Sequence, residues 1–242
     1  MPDALALYFD HALLPAGWAR DVRVSLREGL IAGIEQDVAP RPGDERHAAA
    51  LPGVANLHSH AFQRGMAGLT ERRGASSDSF WTWRETMYRF VDRLDPDQLQ
   101  AIAALAYLEM LEAGFTRVGE FHYLHHAADG RGHGDPAAMS EAIAAAAEET
   151  GIGLTHLPVF YAHSGFGGAE PGTGQRRFVH DVDGFARLVE SARRAVGGLP
   201  DGIVGIAPHS LRAVTPAELE QILPLAGEGP VHIHIAEQTR EV

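Results

Sequence analysis

The chain has 242 residues, 45% hydrophobic and 21% charged, which is enough for a full core, and no apolar stretch is long enough to cross a membrane. A formal net charge of -12 opposes attraction to nucleic acid or an anionic membrane, both of which reward clustered Lys and Arg, so neither is expected as a partner. The absence of cysteine excludes disulfides, thiolate catalysis and Cys-ligated zinc, leaving the 14 histidines, with Asp and Glu, as the available metal ligands.

The start, "MPDALALYFDHALLP", has no basic segment followed by a long apolar one and a small-residue cleavage site, so a cytoplasmic location is the default expectation. Residues 1–50 read as short strands, "ALALYFDHALL" and "ARDVRVSLREGLIAGIEQD", followed by a polar linker, "APRPGDERHAAA". Alternation in "DVRVSLREG" puts Val22, Val24 and Leu26 on one face of a half-exposed strand. The expectation is a small antiparallel sheet, part of a β-sandwich.

From residue 51 to 242 the pattern changes to apolar runs alternating with helices. The runs are "LPGVANLHSH", "FTRVGEFHYLHH", "IGLTHLPVFYAHS", "GIVGIAPHSLR" and "PVHIHIAEQ", each near-continuously apolar at its start, as buried parallel strands are. Asp95 and Pro96 open a helix with Gln98 placed for a capping box and Gly114 past its end; Asp135 with Pro136 and Thr215 with Pro216 repeat the opening, and "DVDGFARLVESARRAVGG" supplies another crossover. This alternation predicts an α/β fold of (β/α)8 TIM-barrel type, whose sites form at the C-terminal ends of the strands. Five strands are too few to close such a barrel, so the chain reads as about its first five strands, cut short at "EQTREV".

Two pairs of alternate histidines fall at strand ends. His58 and His60 lie roughly 6.6 Å apart along a strand and point the same way, so they can meet one ion beyond its end. An isolated pair of this kind is more often packing than ligation. The last run weighs against that reading: "VHIHIAEQ" carries His232 and His234, with Glu237 three residues beyond His234, where it can reach a water on the same ion. His232 lies deeper on that face and reads as an interior histidine. His156 and His163 are assigned no ligand role, and His125 and His126 are expected in solvent. The Gly-rich "AHSGFGGAEPGTGQRRF" lacks the Lys of a P-loop and reads as a flexible loop at the barrel mouth.

The words "LPGVANLHSHAFQRGMAGLTE", "FTRVGEFHYLHH", "IAPHSLRAV" and "HIHIAEQTREV" resemble the formimidoylglutamate deiminase branch of the amidohydrolase superfamily, over essentially the whole chain. The HxH pair is common to the superfamily, whereas "NLHSHAFQR" and "HIAEQ" are narrower. The resemblance implies hydrolysis of N-formimidoyl-L-glutamate to N-formyl-L-glutamate and ammonia, a step of histidine degradation. It implies His58, His60 and His234 as zinc ligands, Glu237 as the acid/base, and substrate contacts from Gln63, Arg84, Tyr123, His209 and Arg212. Of the neighbours His122 and Tyr123, which alternation cannot both point inward, it selects Tyr123.

These roles meet a chemical need. A small-molecule dicarboxylate substrate asks a net-acidic protein for fixed local donors, and Arg forks hold carboxylates bidentately. Imidazoles accept iron or nickel as well as zinc. The resemblance also implies a further Asp ligand and a water-activating His beyond residue 242. Related barrels often form homodimers, although the sequence does not fix an assembly. The alternatives are a related deaminase acting on a purine or other cyclic amidine, which calls for an aromatic, uncharged pocket, and a scaffold of the same fold without chemistry.

Overall fold

A computed structural model describes residues 5–70, 80–237 and 241; the end "EQTREV" falls mostly outside the described residues. The chain divides into two units, Met1–Gly53 and Val54–Val242. In the first, β1 (Ala6–Leu14), β2 (Gly17–Arg27) and β3 (Leu30–Glu35) form an antiparallel meander. Val22 and Val24 share its small core with Ala12, and Leu26 packs on them, as the alternation requires.

The wholly antiparallel expectation is corrected by β4 (Glu45–Ala50), read above as linker, which pairs parallel to β1 from Leu7↔Glu45 to Ala12↔Ala50. Glu45 to Ala49 are exposed, so main-chain pairing with β1 defines the strand and the side chains carry no alternation to betray it. Its entry is pinned by Asp44, which accepts two bonds of 3.0 Å from Arg23 Nε and one of 2.8 Å from the Arg41 N–H.

In the second unit β5 (Val54–Ser59), β6 (Phe115–His122), β7 (Gly153–Phe160) and β8 (Ile203–Val204) form a parallel sheet in that order, and β9 (Ala207–Pro208) continues along β7. β7 is buried at every residue, because helices cover one face and inward-pointing side chains the other. The fourth run is broken into two-residue strands, and the fifth makes only the parallel bridges Ile206↔Val231 and Ser210↔His234. Two glycines let these segments touch. A Cβ on Gly205 would lie 2.1 Å from the Pro230 carbonyl oxygen, and one on Gly229 would lie 2.1 Å from that of Val204.

The helices are α1 (Phe80–Val91), α2 (Pro96–Glu112), α3 (Ala138–Thr150), α4 (Val182–Val196) and α5 (Pro216–Ile222). Asp95 and Gln98 close a reciprocal capping box on α2, as do Thr215 and Glu218 on α5, and Asp181 caps α4. Asp135 does not cap α3: its carboxylate accepts from the Ala137 N–H at 2.7 Å in a turn, and the helix starts at Ala138. A short Asp side chain satisfied two residues on has no reach left for the helix. No described helix is long and apolar enough to cross a membrane.

The Gly-rich loop is also corrected, since Gln175, Arg177 and Phe178 at its end are buried. The Arg177 guanidinium donates to the carbonyls of Val91, Leu94 (2.8 Å) and His126 (2.7 Å), tying the end of α1 to the segment after β6. Desolvation lowers its pKa to about 10, still far above neutrality. The loop therefore locks α1 in place, and α1 carries one wall of the cavity described next.

Candidate active site

His58 leaves the end of β5, His60 sits one residue past it, and His234 arrives from the last run through its bridge to Ser210. The Nε2 of His58 is 3.1 Å from that of His60 and 3.1 Å from that of His234, and the three ligand atoms lie within 4.8 Å of one another. His60 Nδ1–H donates to the Phe121 carbonyl at 2.8 Å, which leaves its Nε2 as a lone pair. Burial holds His60 and His234 neutral, lowering them to about 3 and about 4, and partial desolvation moves the more exposed His58 in the same direction. One His58 nitrogen cannot satisfy two others at once by hydrogen bonding. The arrangement fits a cation accepting three nitrogen lone pairs.

The floor beneath the cluster is β6. Alternation turns Phe121 and Tyr123 toward the site and Glu120 and His122 away from it. The Phe121 ring stacks on His234, with centroids 4.1 Å apart, and lies edge-on to His60 at 5.3 Å. On the opposite face the fully buried Glu120 accepts from the Ala61 N–H at 2.8 Å, holding the backbone next to His60. Burial pushes the Glu120 carboxyl up to about 7.

Gln63, Arg84, Tyr123, His209, Arg212 and Glu237 line one cavity with His60 and His234. Gln63 Nε2 donates to the Tyr123 hydroxyl at 2.9 Å, and Tyr123 donates to Met87 Sδ at 3.4 Å. The Arg84 guanidinium lies 5.3 Å above the Tyr88 ring. Arg212 pairs with the carboxylates of Glu237 and Glu241, so its fork already holds anions of the kind expected from a substrate. Glu237 Oε1 lies 3.7 Å from His234 Nδ1, and burial raises its pKa against the opposing pull of Arg212. His209 is held neutral by burial beside Ser210 Oγ, 3.0 Å from its Nδ1.

Sequence reasoning missed the remaining walls: Trp83, Met87 and Tyr88 from α1, Tyr161 after β7, and Phe178. The signal is "FWTWRETMYRF", in which large apolar residues such as Trp83 and Met87 recur at helical spacing.

His125 and His126 are not in solvent. His125 is buried and donates to the Val159 carbonyl at 3.0 Å; His126 is half-buried and donates to that of Val179 at 2.8 Å. Both are fixed by carbonyls of neighbouring strands and loops, partners that lie 34 and 53 residues away. With His122, His156 and His180 they form a second group of imidazoles, ring centroids 4.4 to 5.6 Å apart. Burial lowers His122 to about 4 and His180 to about 3, and drives His125 and His156 well below the ordinary value of 6.5.

The sign of the pH effect follows. Folded-state pKa values lie below unfolded ones, so this stability is full above pH 6.5 and declines as pH falls, by about 1.4 kcal/mol per unit for each fully buried imidazole. Glu120, raised to about 7, works the other way and offsets one of the three fully buried rings. Urea midpoints measured at pH 7, 6 and 5 are expected to fall step by step; a flat series would contradict neutral burial of these rings.

A parallel α/β sheet brings together three converging strand-end histidines and a carboxylate three residues beyond the last, a set of groups able to hold a divalent cation. The chain belongs to the amidohydrolase family, which it matches over residues 49–242. Residues 6–48 match the N-terminal domain of formimidoylglutamate deiminase HutF. The chain is 49% identical over 239 residues to formimidoylglutamate deiminase of Pseudomonas aeruginosa, covering 98% of this chain and 52% of that one. It is 28% identical to 5-methylthioadenosine/S-adenosylhomocysteine deaminase of Shouchella clausii, over 90% of this chain and 46% of that one. An amidohydrolase crystal structure from Brucella melitensis superposes with a TM-score of 0.95 at 55% identity, covering 98% of this chain and 53% of that one. The chain spans about half the length of the curated relatives it matches, in keeping with a partial barrel.

Proposed function

We propose that the protein hydrolyses N-formimidoyl-L-glutamate to N-formyl-L-glutamate and ammonia, with His58, His60 and His234 holding a zinc ion. The observation that carries the reading is one cavity lined by His60, His234, Glu237 and two arginines, Arg84 and Arg212, with His58 Nε2 3.1 Å from the ring nitrogens of both lining histidines. The 49% identity to formimidoylglutamate deiminase supports it.

When bound, a divalent ion supplies the Lewis acidity that makes water a nucleophile near neutral pH. In the reaction water adds a C–O bond to the formimidoyl carbon, and the C–N bond to the terminal nitrogen breaks. Glu237 is suited to the proton transfers: it lines the cavity with His60 and His234, and burial raises its affinity for a proton. It takes the two protons of the water in turn and delivers both to the terminal nitrogen, which leaves as ammonia while the new C–O bond becomes the formyl carbonyl. Arg84 and Arg212 present planar forks to the two carboxylates, and Gln63, fixed against Tyr123, offers a polar contact from the HxH side.

The aromatic walls, Trp83, Tyr88, Tyr161 and Phe178, favour a second reading, deamination of a purine-like ring. Ammonia release separates the two. Turnover of N-formimidoyl-L-glutamate with none of adenosine-type or guanine-type substrates is expected, and the reverse result would replace the first reading by the second.

A further inference from the structure

Tyr161 lines the cavity with a hydroxyl whose donor capacity no described residue uses. Tyr161 follows β7 directly, its side chain 7% exposed and its ring 4.6 Å from that of His209. Its hydroxyl is 2.5 Å from Gln175 Nε2. The direction of that bond is fixed by the other end of the amide, because Gln175 Oε1 accepts from the Gly172 N–H at 2.8 Å, which leaves the NH2 facing Tyr161. Tyr161 is therefore the acceptor. Its own proton has no acceptor among the described residues, whereas Tyr123 spends its proton on Met87 Sδ.

The Gln175 turn is held from the opposite side as well. A Cβ on Gly174 would lie 2.3 Å from the Tyr88 ring, so residues 172–175 are wedged between Tyr88 and Tyr161, and the amide is presented in one orientation. Tyr161 lines the same cavity as Arg84, Arg212 and Glu237. A phenol whose oxygen already accepts a bond, in a cavity that two guanidiniums also line, complements an anionic acceptor.

We propose that Tyr161 is a substrate-binding residue, donating a hydrogen bond to one carboxylate of the substrate and selecting dicarboxylates together with Arg84 and Arg212. This rests on the reading of the site as a formimidoylglutamate deiminase. A donor that touches a carboxylate remote from the reacting carbon binds ground state and transition state alike, so its loss raises KM and spares kcat.

The test is Tyr161→Phe in the intact protein, assayed by ammonia release on N-formimidoyl-L-glutamate and on two analogues, each lacking one carboxylate. A hydrogen bond to a charged group predicts a KM increase of ~10-fold or more with kcat within about twofold. The increase is expected to vanish on the analogue lacking the contacted carboxylate. An unchanged KM on the dicarboxylate overturns the assignment, as does an equal increase on both analogues, which would mark general damage to the cavity. If the wild-type protein releases no ammonia from any of the three, the functional reading fails and the inference falls with it. Metal content and circular dichroism of the variant exclude misfolding as the cause of a raised KM.

Discussion

Replacing His58 by alanine is expected to strip the protein of its metal and of ammonia release while leaving the fold intact. His58 is the central member of the cluster, 3.1 Å from both His60 and His234, yet its residue is exposed. Its removal creates no buried cavity. His60→Ala would be a poorer choice, because that ring also satisfies the Phe121 carbonyl. Loss of a Lewis acid worth several kcal/mol lowers the rate by ~10^3-fold or more. Elemental analysis after dialysis, beside the thermal transition, checks both halves of the statement. A variant that kept stoichiometric metal and wild-type rate would remove His58 from the site.

Glu237→Gln is expected to separate binding from chemistry. The amide has the size of the carboxyl and can still meet Arg212, but it can neither take nor deliver a proton at the cavity end. General acid–base catalysis contributes typically 10^2- to 10^4-fold, so kcat falls by roughly that factor while the metal content stays unchanged. The Arg212 pairing complicates KM in an informative way. In the structure that arginine is shared between Glu237 and Glu241, and weakening one partner frees the fork for a substrate carboxylate. KM is therefore expected to stay level or fall. Steady-state kinetics of ammonia release gives both numbers, and a variant with wild-type kcat would show that another group handles the protons.

Part of the fold is legible in the sequence, and the reason is locality. The helix openings at Asp95 and Thr215 rest on residues a few positions apart, and the strands of the first three runs on apolar side chains in sequence, so these appear where they are expected. Asp135 failed because two local solutions compete for the same short carboxylate, and the sequence does not rank them. β4 was invisible because its stability comes from pairing with β1, some 38 residues earlier in register, while its own side chains face solvent.

The sequence by itself determined the alternating α/β order, the absence of thiol chemistry and the two histidine pairs with Glu237, since each follows from composition or from spacings of a few residues. Only the tertiary structure decided that His234 closes on His58 across 176 positions of sequence, which imidazole nitrogen is left free, and that α1 and Tyr161 wall the cavity. It also decided that His125 and His126 lie inside, against carbonyls of segments far along the chain. The physical reason is that periodicity records how a segment meets its own neighbours, whereas tautomer, burial and convergence depend on which distant segment packs against it.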